Sequence, residues 1–158
     1  MAAAAQPGPW DRTSPLHLTA SAIVVHPSTE RVLLRWHERH EAWMQVGGHG
    51  DPGETDPLAI ALREAEEETG LIDLRPWPEG PGPPSIIQAV IVPVPANEKE
   101  SAHEHGDLRY VLATESPDAV VAESESTPLR WLSVDDALDL VIEENLRENI
   151  RRVGELFT

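Results

Sequence analysis

No cysteine occurs in this chain of 158 residues, which excludes disulfides, thiolate metal sites and a cysteine nucleophile. Basic residues are scarce, since 12 Lys and Arg stand against 28 Asp and Glu for a formal charge of −16. A chain this acidic argues against non-specific binding to a nucleic-acid polymer or an anionic membrane. A polyanionic substrate would have to be met through a bridging cation or a local basic pocket. No run of about 18 apolar residues is present, so no membrane-spanning helix is expected. The opening stretch MAAAAQPGPWDRTSP has neither a basic region nor a long apolar one, and its prolines oppose a helix. Residues 1–14 read as a flexible leader. Residues 15–158 are long enough for one core and too short for two, and read as one domain. The lack of cysteine and of a secretory signal fits a cytoplasmic protein.

What is present is ordered by period. LHLTASAIVV, from Leu16, is rich in β-branched residues and is followed by a turn-like HPSTE and then RVLLRW, which predicts a hairpin over residues 16–36. AWMQVGG, from Ala42, predicts a shorter strand. The period then changes: Leu58, Ala61, Leu62, Ala65 and Thr69 recur at helical spacing between a start at Asp56 and Pro57 and a stop at Gly70. RPWPEGPGPP, from Arg75, is too proline-rich for a helix or central strand and predicts a surface loop. SIIQAVIVPV and LRYVLATE predict two more strands, joined by the polar connector ANEKESAHEHGD. An acidic loop over residues 116–127 leads into the strand PLRWLSV, and Ser133 is placed to cap a helix over DDALDLV. A last helix carries Leu146, Ile150 and Val153 as a core stripe or a dimer surface. This mixture predicts an α+β, or α/β/α layered, architecture.

The helix after Pro57 places Glu64, Glu66, Glu67 and Glu68 close together. On a wheel of roughly 100° per residue, Glu64, Glu67 and Glu68 share an arc distinct from the apolar stripe. Neighbouring like charges on a helix cost a few tenths of a kcal/mol per pair. A hard divalent cation, Mg²⁺ or Mn²⁺, takes oxygen ligands and would offset that repulsion. Arg63 is placed to orient one carboxylate through charge-assisted hydrogen bonds. The plain alternative is a solvated acidic face. The preceding GGHGDPGE favours a site, because glycine lets the backbone approach a ligand closely at the helix entrance.

These residues resemble the signature of the Nudix hydrolases: a glycine, five residues, a glutamate, seven residues, then R-E-apolar-x-E-E-x-G-apolar. The second half stands in full as Arg63, Glu64, Ala65, Glu66, Glu67, Glu68, Thr69, Gly70 and Leu71. In the first half Gly48 and Glu54 keep the gap of five, but eight residues rather than seven separate Glu54 from Arg63. The extra residue is assigned to the loop before Leu58, which leaves the role of Glu54 open. The resemblance implies an α/β/α sandwich with a mixed sheet between helices. It implies Mg²⁺ or Mn²⁺ on Glu64, Glu67, Glu68 and the Gly47 carbonyl, Arg63 orienting Glu64, and hydrolysis of a diphosphate linked to another moiety, usually a nucleoside.

Members of that family often carry a further acidic residue in a loop before a tryptophan-bearing strand. Here Glu125 stands six residues before Trp131, with Glu123 two residues earlier, and Glu125 is the expected base or ligand. HEHGD offers His103, His105 and Asp107 on one face of a strand start, where they could contact a metal or a phosphate, or serve only as sheet surface. Gly48, His49 and His105 are the expected substrate contacts. Trp36, Trp43 and Trp131 are expected to pack rather than stack on a base. The expected substrate is a small nucleotide, a (d)NTP first, with ADP-ribose or a nucleotide sugar next. A non-catalytic nucleotide-binding module of the same fold is the competing reading. A monomer and a homodimer are both compatible with the sequence.

Overall fold

A computed structural model of the protein describes residues 6–158. The strand β1 (Leu16–His26) is the spine of an eight-stranded mixed sheet. Along one edge it runs parallel to β7 (His103–Ala113), from Leu16 opposite Glu104 to Val25 opposite Ala113. Its other edge is shared by two antiparallel partners. β4 (Val46–Gly48) pairs at Ala20 to Ala22, and β2 (Arg31–His37) pairs at Val24 to His26. β3 (Ala42–Met44) and β8 (Leu129–Ser133) extend the sheet from β2, while β5 (Arg75–Pro76) and β6 (Gln88–Val94) pair with β7.

Strand alternation divides the core into two layers. Ala20, Ala22 and Val24 face α1 (Pro57–Thr69), packing with Val46, Ile60, Ala61, Ala65, Leu71 and Leu112. Ile23 and Val25 face α2 (Val134–Leu140) and α3 (Glu144–Leu156), packing with Leu34, Val111, Ala137, Leu146, Ile150 and Val153. The fold is therefore an α/β/α sandwich around a mixed sheet. Leu146, Ile150 and Val153 are fully buried, so that stripe belongs to the core. Among the described residues no helix is long and apolar enough to cross a membrane.

Several expectations are refined. AWMQVGG divides at Gln45, because Ala42–Met44 pairs with β2 while Val46–Gly48 turns to β1. β7 begins at His103, so HEHGD is the strand start that its alternation suggested and not part of the connector, satisfied by β1 on one side and β6 on the other. Arg75 and Pro76 add a short pairing to β7 at the start of the proline-rich loop. The expected leader is also tied down in its described part, since the Pro9 carbonyl accepts the Leu18 N–H at 2.7 Å and Trp10 packs on the α1-side core. Residues 1–5 lie outside the described residues. Trp36 and Trp43 meet edge to face across β2 and β3, and the Trp131 indole donates to the Pro117 carbonyl at 2.9 Å, as packing roles require.

A polar strip crosses the sheet on the α3 side. Buried Asp107 accepts from Thr19 at 2.9 Å, Ser21 at 2.8 Å and Arg109 at 2.8 Å. Arg109, 1% exposed, also donates to Gln88 and Asn145. Such a pair is tolerable in a core only because its polar atoms are matched.

The tightest backbone approach is at Gly47, where an added Cβ would lie 2.3 Å from the Ser21 Cβ and 2.6 Å from the Ala20 carbonyl oxygen. Gly47→Ala should therefore destabilise the protein by about 2 kcal/mol or more, as overpacking does, whereas Gly80→Ala, with open space around it, should be near neutral. Urea unfolding of both variants checks this contrast.

Candidate active site

The glutamate helix is fixed at both ends by its own sequence. Asp56 caps it by accepting the N–H groups of Leu58 at 3.0 Å and Ala59 at 3.4 Å, and Pro57 takes the first turn, where no N–H is needed. Gly70 closes it with φ of 71° and donates to the Glu66 carbonyl at 2.8 Å. The fully buried side chains are Ile60, Ala61, Ala65 and Thr69, while Leu58 and Leu62 are half-buried. At roughly 100° per residue, Glu64 and Glu68 fall between Ile60 and Ala61. Their arc is thus not separate from the buried stripe but lies within it, facing β4.

Glycine makes room for them there. The Gly47 N–H donates to Glu68 Oε2 at 3.0 Å, and a Cβ on Gly48 would lie 2.8 Å from the Glu64 carboxyl carbon. Arg63 holds the outer side of the cluster. Its Nη2 donates to Glu54 Oε1 at 2.8 Å and to the His49 carbonyl at 3.1 Å, and its Nη1 donates to Glu64 at 3.1 Å and to Glu67 at 3.3 Å. The displaced Glu54 therefore grips Arg63, steadied by a turn in which the Asp51 N–H donates to Glu54 at 2.6 Å. The inserted residue lies in the loop before the helix, and the helix register is kept.

Burial pushes the Glu68 carboxyl up to about 7, against the opposing pull of Arg35 and the Gly47 N–H, with Glu64 and Glu123 adding repulsion. Burial also raises Glu64, with Arg63 pulling it down. Glu54 is lowered by hydrogen bonds from Arg63 and then from the Asp51 N–H. The result is two desolvated carboxylates with incomplete compensation beside a third, Glu67, that is 52% exposed. This set of hard oxygen donors suits Mg²⁺ or Mn²⁺ in chemistry and in charge. The three carboxylates do not meet at one point, because Arg63 holds Glu64 and Glu67 while Glu68 turns to Gly47.

The acidic loop places its two candidates differently. Both are exposed, but Glu123 pairs with Arg35 at 3.4 Å and adds repulsion at Glu68. Arg35 has only 13% of its side chain exposed, and its Nε is buried without a partner. His49 is joined to the site through its carbonyl, while its ring turns to His17 and His105. A cavity of about 460 Å³ under the proline-rich loop, between Trp77, Pro83 and Leu156, contains none of Glu64, Glu67 and Glu68. Sequence reasoning left Glu54 open and passed over Arg35. The signal for Arg35 was a charge following a Val-Leu-Leu run in a strand.

The family model of the NUDIX domain matches residues 15–153. The chain is 30% identical over 110 residues, 68% of its length, to a protein of Lactococcus lactis subsp. cremoris described as a probable DHNTP pyrophosphohydrolase, and it spans 60% of that relative. Its fold is similar to that of a NUDIX-family hydrolase from Clostridium perfringens, with a TM-score of 0.70 and 23% identity over 90% of this chain and 98% of that one. It is also similar to the dihydroneopterin triphosphate pyrophosphohydrolase of E. coli, with a TM-score of 0.64 and 18% identity over 88% of this chain and 94% of that one. With the glycine strand, the capped glutamate helix and the orienting arginine in one place, the chain belongs to the Nudix family.

Proposed function

We propose that this protein is a pyrophosphohydrolase that cleaves a diphosphate linkage in a nucleotide-like triphosphate. Divalent Mg²⁺ or Mn²⁺ would be held by Glu64, Glu67, Glu68 and the Gly47 carbonyl. The observation that carries this reading is the burial of Glu64 and Glu68 against Gly47 and Gly48, which leaves carboxylate charge that a hard cation would match. When bound, such an ion supplies neutralisation of the phosphate charge as it builds on reaction. The acidity of the chain is compatible with an anionic substrate on the same ground.

In the reaction a water oxygen forms a bond to one phosphorus as the bridging P–O bond breaks. Pyrophosphate leaves with the bridging oxygen, and the water proton passes to a carboxylate. Arg63 keeps Glu64 oriented and sets the spacing of Glu64 and Glu67 through one guanidinium nitrogen. Arg35, half-buried and paired through Nη2 with Glu123, adds positive charge near Glu68, which favours an approaching phosphate. Gly48 lets the Glu64 carboxylate lie against the backbone beside the substrate phosphates, and His49 and His105 border their approach. The names carried by the L. lactis relative and the E. coli neighbour favour a triphosphate on a pterin over ADP-ribose or a nucleotide sugar. A cytoplasmic location fits such a substrate.

The test is product analysis by mass spectrometry after incubation with dihydroneopterin triphosphate, each (d)NTP, ADP-ribose and nucleotide sugars, with Mg²⁺, Mn²⁺ or EDTA. Metal-dependent release of pyrophosphate from a triphosphate is expected, and Glu67→Gln with Glu68→Gln should lower turnover roughly a hundredfold or more. Full activity in that double variant would refute the carboxylate site. For the loop acids, Glu123→Gln and Glu125→Gln are compared by kcat at saturating substrate. The position of Glu123 beside Arg35 predicts the larger loss there, and a loss confined to Glu125→Gln would assign the role to Glu125.

A further inference from the structure

We propose that His17, His49, His103 and His105 form a second cation site, for a borderline transition-metal ion such as Zn²⁺, distinct from the carboxylate face. His17 and His105 stand directly opposite each other across the parallel pairing of β1 and β7, and His103 follows on the same face. His49 comes in from the residue after β4. Their Nε2 atoms lie in sequence, with His17 to His49 at 3.1 Å, His49 to His105 at 3.2 Å, and His105 to His103 at 3.1 Å. The ligand nitrogens of His17, His103 and His105 all fall within 4.8 Å of one another. A tetrahedral ion with bonds of about 2.0–2.1 Å sets its nitrogen ligands about 3.3–3.4 Å apart, close to the spacing of the three neighbouring pairs.

Proton positions strengthen the case. His17 Nδ1 lies 2.9 Å from the Ser14 carbonyl oxygen and His103 Nδ1 lies 2.8 Å from that of Ser101. A carbonyl only accepts, so both Nδ1 atoms carry a proton, and in the neutral form of either ring its Nε2 presents a lone pair. The remaining Nε2 atoms, of His49 and His105, can supply at most one proton each. If both do, the two N–H groups oppose each other in the middle contact, and if either does not, at least two contacts have no hydrogen. Neutral rings therefore cannot satisfy all three contacts, whereas one cation accepts every lone pair. Glu100 adds favourable negative charge near His49 and His105, and Asp107 does so near His105. Arg12 opposes it near His49 but is partnered by Glu100 at 3.8 Å.

His17, His103 and His105 supply three imidazoles whose nitrogens lie mutually close, and His49, within reach of His17 and His105, would bring the count to the four of a structural ion. Bound there, the ion would tie the residue after the glycine strand to the starts of β1 and β7, beside a hollow of about 270 Å³ lined by Arg12, Ser14 and Glu100. The site does not depend on the catalytic reading of Glu64, Glu67 and Glu68.

The test is titration of metal-stripped protein with Co²⁺ in excess Mg²⁺, followed by visible absorption and displacement by Zn²⁺. One equivalent is expected, with the intense bands of a tetrahedral nitrogen site, weakened at least tenfold in both His49→Ala and His103→Ala and retained in Glu67→Gln. Thermal melts of the stripped variants, matched to the parent, show that each has folded. Absence of stoichiometric uptake by the parent, uptake unchanged in the two histidine variants, or uptake lost in Glu67→Gln would each overturn the proposal.

Discussion

Glu64 and Glu68 are pressed against the backbone of Gly47 and Gly48, and much of the molecule is arranged so that this contact can exist. It needs β4 paired to β1 with no Cβ at either glycine, because Ser21 occupies the space behind Gly47 and the Glu64 carboxyl occupies the space before Gly48. It needs α1 close to the sheet, which the small side chains of Ala20, Ala22, Ala61 and Ala65 permit. It also needs the helix register to be fixed, which Asp56 and Gly70 do from the two ends. Carboxylates so placed lose hydration, and what the protein returns to them is partial: one backbone N–H for Glu68 and one shared guanidinium for Glu64.

Around that contact the charges form a graded set. Arg63 is surrounded by Glu54, Glu64, Glu67 and the His49 carbonyl, so its planar fork fixes several groups at once. Arg35 approaches Glu68 from β2 and pairs with Glu123 from the acidic loop. The glycine strand then leads directly to His49, whose carbonyl belongs to the carboxylate site and whose ring belongs to the histidine cluster. Two kinds of donor atom, carboxylate oxygen and imidazole nitrogen, thus meet at one short segment.

Much of this was legible in the sequence where a local pattern decides the outcome. The Asp56-Pro57 start, the Gly70 stop, the Ser133 cap and the core stripe of Leu146, Ile150 and Val153 follow from rules acting within one element. The family signature added the mixed sheet and the pairing of Arg63 with Glu64. What remained hidden depends on contacts distant in sequence. The start of β7 at His103 is set by backbone partners on β1 and β6, which the polarity of HEHGD conceals. The convergence of His17 and His49 on that strand needs three segments to be assembled. A helical wheel separates apolar from acidic residues but does not know that glycines stand opposite, so it placed Glu64 and Glu68 outside the stripe they share. Spacing before Trp131 favours Glu125, whereas the contact with Arg35, distant in sequence, belongs to Glu123.

The most direct measurement is the thermal stability of metal-stripped protein from pH 5 to 8, with and without Mg²⁺, taken as the difference between the parent and Glu68→Gln. The Glu68 carboxyl sits at about 7 in the folded chain against 4.5 ordinarily, so the folded state binds the extra proton. Its contribution to stability is therefore lost as pH rises from about 4.5 through about 7. Taking the difference removes the histidines, His49 and His105 among them, whose lowered values act in the opposite sense. The account predicts that, without metal, the parent loses stability relative to Glu68→Gln across this window, on the order of 2 kcal/mol by pH 8, and that Mg²⁺ restores it in the parent alone. A difference that is flat with pH and indifferent to Mg²⁺ would contradict the claim that these carboxylates are held desolvated for a cation.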